Sequence, residues 1–134
     1  MNAKDDSTLI TERCAGEALL DLLRRRGVQY LFANSGTDFA SLVEGMANAR
    51  ITGAPLVSAM LVQHETVAIG MAYGVTMVNG QAQAVMVHVN VGTANALCGL
   101  INASRENVPI LLMAGRTPLY ETGVPGARSM NIHW

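Results

Sequence analysis

The sequence predicts a doubly wound α/β domain, a parallel sheet flanked by helices. Short apolar runs recur between longer segments of helical period, and the turns that close those runs are polar and carry glycine. Half of the residues are hydrophobic while only 14% are charged, which suits strands covered on both faces by crossover helices. The 134 residues are enough for one core, so a single domain is expected over 1–134.

The elements follow in order. After a polar, acidic start, Ala15, Ala18, Leu19, Leu22 and Leu23 fall at helical spacing, and Arg24-Arg25-Arg26 before Gly27 reads as a basic last turn with a left-handed stop. Residues 30–33 form the first apolar run, Asn34-Ser35-Gly36-Thr37-Asp38 a turn, and Phe39, Leu42, Val43 and Met46 mark the next helix. The pattern repeats with a strand over 56–60 and a helix from about His64, then a strand over 84–89 and a helix from about Thr93, and a last strand over 110–114. Residues 115–134 hold prolines and glycines without periodicity and read as a loop. The sheet is thus expected to stop short of completion.

Composition excludes several functions. A net charge of −1, with the one basic run spent on a helix end, argues against nucleic-acid binding. Cys14 and Cys98 lack metal-ligand spacing and read as buried free thiols, so no metal site is expected within the chain. The start lacks the apolar core of a secretory signal, and no apolar stretch is long enough to span a bilayer, so a cytoplasmic protein without membrane association is expected.

In open parallel sheets ligands bind beyond the carboxyl ends of the strands, and polar groups gather there at 34–38, 63–65, 88–95 and 115–117. Glu65 stands at a strand-to-helix junction beside Val67, Ala68, Met71 and Ala72, poised at the edge of a core. It is a candidate chemical group; the alternative is an exposed first-turn glutamate interacting with the helix dipole. Val91-Gly92-Thr93-Ala94-Asn95 opens a helix whose amides suit an anionic or carbonyl group, or else it is a glycine bend with Thr93 as the cap. His88 is a proton-transfer group or a hydrogen-bonded structural histidine. A dinucleotide or flavin module finds no glycine-rich fingerprint here.

Taken together, Asn34-Ser35-Gly36-Thr37, His64-Glu65-Thr66-Val67-Ala68 with Ala72-Tyr73-Gly74, Val91-Gly92-Thr93-Ala94-Asn95-Ala96-Leu97 with Gly99-Leu100, Asn102-Ala103, and Val108-Pro109-Ile110 through Ala114-Gly115 carry a resemblance. The chain resembles the pyrimidine-binding domain of thiamine-diphosphate-dependent enzymes, particularly the acetolactate synthase and benzoylformate decarboxylase group. The resemblance implies that Glu65 hydrogen-bonds N1′ of the cofactor's aminopyrimidine and favours the imino tautomer that deprotonates the thiazolium, giving the ylide that attacks a 2-keto acid. It implies an active-site role for His88, a substrate contact for Ser35, and a lining or supporting role at the cofactor pocket for Gly92, Thr93 and Asn95.

The departures from the family are equally specific. The Gly-Asp-Gly segment and downstream asparagine that hold magnesium and the diphosphate are absent, so magnesium is expected only through a missing domain or a partner. The resemblance then allows a fragment of a thiamine-diphosphate-dependent lyase or synthase that is inactive alone, a separately encoded pyrimidine-domain subunit of a split decarboxylase, or a non-catalytic oligomerisation module. Each requires a diphosphate-binding domain, a partner subunit or a second copy, and so a homo- or hetero-oligomer. The helix over 67–78 is apolar or small around much of its circumference, which marks it, with the face carrying Glu65, as an association surface.

Overall fold

The computed structural model describes residues 14–116. Its elements are α1 (Ala15–Arg25), β1 (Tyr30–Ala33), a single 3₁₀ turn (Thr37–Phe39), α2 (Ala40–Thr52), β2 (Ser58–Leu61), α3 (Glu65–Asn79), β3 (Gln83–Val87), α4 (Val89–Arg105) and β4 (Ile110–Ala114). The four strands form one parallel sheet, as their apolar runs predict, and its order is β2-β1-β3-β4.

Alternation along the strands divides the core in two. Leu31, Ala33, Ala84 and Met86 face α1 and α2, where they meet Leu20, Leu23, Phe39 and Leu42. Phe32, Val85 and Val87 face the other way onto Ala68, Ile69, Ala72 and Ala96 of α3 and α4. Leu31, Phe32 and Ile69 are essentially fully buried, each stabilising the fold by roughly 1.5–3 kcal/mol relative to exposure.

Glycine sets how closely the helices approach. A Cβ on Gly16 of α1 would lie 2.6 Å from the Ser41 carbonyl carbon, and one on Gly45 of α2 would lie 2.8 Å from the Glu17 nitrogen. The two helices therefore touch backbone to backbone. Gly27, with φ +85°, follows α1 as the expected left-handed stop.

Gln83, fully buried at the start of β3, is satisfied from both ends. Its Oε1 accepts from the Tyr30 amide at 2.9 Å and its Nε2 donates to the Gln81 carbonyl at 2.9 Å. The side chain thus pairs the first amide of β1.

Several boundaries and placements differ from the sequence reading. The second strand runs 58–61 rather than 56–60, because the ladder to β1 opens at Tyr30↔Ser58, while Val57 packs into the core and Leu56 against it. The third runs 83–87 rather than 84–89, and α4 begins at Val89 rather than Thr93, because the Gly92 amide donates to the His88 carbonyl at 2.9 Å and closes a first turn there. Val43 faces solvent, because Leu42, Gly45 and Ala49 form the buried stripe of α2. Cys98 is exposed and Cys14 partly buried, so neither is the buried thiol expected. The expected loops over 1–13 and 117–134 lie outside the described residues. No described helix is long and apolar enough to cross a membrane.

Candidate active site

The strand order reverses between β1 and β3. The loop after β1 leads to α2 on one face and the loop after β3 leads to α4 on the other, which opens the crevice where ligands bind in such sheets. The candidate groups lie along this carboxyl edge in two clusters.

The first is built around Glu65. His64 caps α3, its Nδ1 accepting from the Thr66 amide at 3.2 Å, so Glu65 starts the helix. It is not the solvated first-turn residue of the alternative reading but is 5% exposed. Asn95 Nδ2 donates to Glu65 Oε2 at 3.2 Å, and the Thr66 hydroxyl donates to the Asn95 carbonyl at 3.3 Å, so α3 and α4 are tied at this point. Gly92 supplies the room: a Cβ there would lie 2.9 Å from Val87 Cβ and 3.1 Å from Glu65 Oε1. Burial pushes the Glu65 carboxyl up, but hydrogen bonds from its own backbone amide, Asn95 and Asn34, with the His64 ring nearby, outweigh it and hold the group below its ordinary 4.5. The result is a buried carboxylate, ionised at neutral pH, whose contacts are amide donors.

The second cluster joins the ends of β1, β3 and β4. His88 Nδ1 lies 2.7 Å from Asp38 Oδ1, and Asp38 Oδ2 accepts from the Val89 amide at 3.4 Å. A Cβ on Gly36 would fall into the His88 ring, and one on Gly115 would fall into the Asp38 carboxylate. Val89 has φ +35°, an unfavourable value for a β-branched residue that costs roughly 1–3 kcal/mol. The hydrogen bond to its amide helps to hold that conformation.

The remaining candidates separate from these. Thr93 is no cap: it sits one turn into α4 and its hydroxyl donates to the Val89 carbonyl at 2.7 Å. It lines a groove of about 510 Å³ between α4 and the end of β4, with Asn90, Leu97, Ala114 and Arg116. The amides from Gly92 onward lie inside the helix, so of the cradle expected at 91–95 only the Val91 amide stands among the helix's first free donors. Ser35 is exposed in the loop after β1 and makes no hydrogen bond among the described residues. Asp38 and Asn34 were not singled out from the sequence, where both read as turn residues. The one available signal was their position on the same sheet edge as His88 and Glu65. Among the described residues no group of three or more His, Cys, Asp or Glu side chains is placed to hold a metal ion.

Comparison with known proteins gives concordant matches. The family model described as thiamine pyrophosphate enzyme, N-terminal TPP binding domain, matches residues 13–133. The chain is 35% identical over 104 residues to a Mycobacterium tuberculosis protein provisionally described as the acetolactate synthase large subunit IlvX, covering 78% of this chain and 19% of that protein. It is 29% identical over 115 residues to the acetolactate synthase of Arthrospira platensis, covering 86% and 20%. The thiamine diphosphate-dependent 4-hydroxybenzoylformate decarboxylase of Rhodococcus jostii RHA1 superposes with a TM-score of 0.66 at 29% identity, over 78% of this chain and 18% of that one. The chain spans about a fifth of the length of these relatives.

Proposed function

The chain belongs to the thiamine pyrophosphate (thiamine diphosphate) enzyme family as an N-terminal cofactor-binding domain, and on that basis we propose that it supplies the aminopyrimidine side of the cofactor site in a 2-keto acid decarboxylase or acetolactate synthase-like enzyme. Glu65 carries this reading: it is a buried carboxylate at the crevice edge, oriented by Asn95 and given space by Gly92. These residues fit a ring nitrogen that bears a proton, because an ionised carboxylate surrounded by amide donors has acceptor capacity to spare for an N–H.

When bound, thiamine diphosphate supplies the electron sink for decarboxylation. Glu65 holds a proton at the pyrimidine N1′ and so sets the ring's protonation state, while Asn95 keeps the carboxylate aligned. His88 moves a proton on the substrate side and Ser35 contacts substrate, while Thr93 lines the adjoining groove between α4 and the end of β4. The relatives' greater length leaves room for a diphosphate-binding domain, which in this reading provides the magnesium and diphosphate contacts from the same polypeptide or from a partner subunit. The chain alone is then inactive, and the apolar outer face of α3 is where the second domain or subunit sits.

Titration of isotopically labelled chain with thiamine diphosphate and magnesium tests the reading. Weak binding should perturb the Asn95 side-chain amide and the Gly92 amide, and Glu65→Gln should abolish the response. Perturbation that bypasses both residues, or persists unchanged in the variant, would sink it.

A further inference from the structure

We propose that Asp38 is a positioning residue for His88, fixing the imidazole in the tautomer that carries its proton on Nδ1 and leaves Nε2 as the free acceptor. The inference rests on the proton-transfer role given to His88 above and adds the residue that makes the role directional. A carboxylate 2.7 Å from Nδ1 accepts the proton carried there, and a neutral imidazole then has its lone pair on the other nitrogen. This is the physical arrangement by which an acid orients a catalytic histidine without itself reacting.

Four further observations show that the pair is built into the fold. The Asp38 side chain is only 9% exposed while that of His88 is 37% exposed, so the carboxylate is the anchored partner and the ring the accessible one. The second carboxylate oxygen takes the Val89 amide, so Asp38 holds both the ring and the backbone immediately after it. Glycine stands at the two positions, 36 and 115, where any side chain would displace the ring or the carboxylate. Finally, Asp38 follows β1 and His88 follows β3, so the pair spans the crevice at which the sheet order reverses.

Long-range nitrogen–proton correlation spectra of the full chain, at a pH where the ring is neutral, read the tautomer directly, with His88→Gln identifying its signals. In the unmodified chain the proton is expected on Nδ1; a proton on Nε2 overturns the proposal. Asp38→Ala should shift the ring toward the Nε2-protonated form, and an unchanged tautomer in that variant overturns it equally. Should that variant not fold, the measurement on the unmodified chain still decides. Both spectra are taken without cofactor, whereas the cofactor function is tested by the response of Asn95 and Gly92, so either idea can fail while the other stands.

Discussion

Gly16 and Gly45 are closed over by the partner helix, the backbone of α2 lying against the first and that of α1 against the second. Gly70 and Gly74 of α3 are also mid-helix, yet an added Cβ at either would meet nothing within 4 Å. The same contrast runs through the neighbouring side chains. The outer side of α1 carries Asp21 paired with Arg24 and Arg25 at 3.1 and 2.8 Å, whereas the outer side of α3 exposes Val67, Met77 at 62% and Val78 at 90%. The α1–α2 layer carries these ion pairs beside its own exposed Leu22, Val43 and Ile51. The other has an apolar exterior with glycines that cost helix stability and gain no contact among the described residues, which is the composition of a surface that something else covers.

The largest effect should come from filling the glycines. Gly16→Ala forces a methyl group into the Ser41 backbone and is expected to destabilise the chain by about 3 kcal/mol. Gly70→Ala should instead stabilise it by about 0.5–1 kcal/mol through helix propensity. Denaturant titration of both variants checks the contrast. Two losses, or two gains, of similar size would erase the distinction between the layers.

An intermediate effect concerns the two depressed carboxyls, one in each layer. At Asp21, burial pushes the pKa up, but hydrogen bonding to Arg24 and the nearby Arg25 outweigh it and hold the group below its ordinary 3.8. Glu65 likewise lies below 4.5. A carboxyl whose folded pKa is depressed contributes stability that is present above its unfolded pKa and lost as pH falls through the folded one. Glu65→Gln should therefore cost about 1 kcal/mol at neutral pH and progressively less as pH drops below 4.5. A deficit that stays constant down to strongly acidic pH would mean that the charge of Glu65 contributes nothing.

The smallest change in stability, within about 0.5 kcal/mol, is expected for Met77→Lys, because Met77 is exposed. Its effect should appear in light scattering across a concentration series, where the unmodified chain associates and the variant does so less. Met77 is the better probe than Met71, which packs against the core. Identical scattering from the two proteins would leave the α3 exterior without a role.

How much of this was legible in the sequence depends on the range of the interactions. The strands could be read because their apolar runs are local and short, and 30–33 and 110–114 match the structure at both ends. Glu65 could be singled out because a carboxylate beside a helix's buried stripe is a local conflict. The start of α4 was misplaced because Gly92 reads as a bend. Its glycine instead serves a neighbour from another helix, Glu65, 27 positions earlier in the chain. Asp38 was passed over for a related reason. A turn aspartate looks like a cap, and its partner His88 is 50 residues away. The apolar stripe of α2 was misread at Val43 because the contact that orients the helix is made by Gly45, which carries no hydropathy signal.

Gln83 carries a consequence for alignment between strands. Aliphatic strands distinguish odd from even positions but have little to choose among offsets of two, since Ala, Val and Met pack comparably at each. The Gln83 Nε2 is satisfied locally by the Gln81 carbonyl, but its Oε1 finds a donor in the Tyr30 amide only when position 83 lies beside position 30, which removes that degeneracy. At any other offset that oxygen would be buried without its donor, at a cost of about 1–3 kcal/mol. Gln83 thus works as a key cut for one offset of β3 against β1. The crevice between Asp38 and His88 inherits its alignment from that lock at the opposite end of the same two strands.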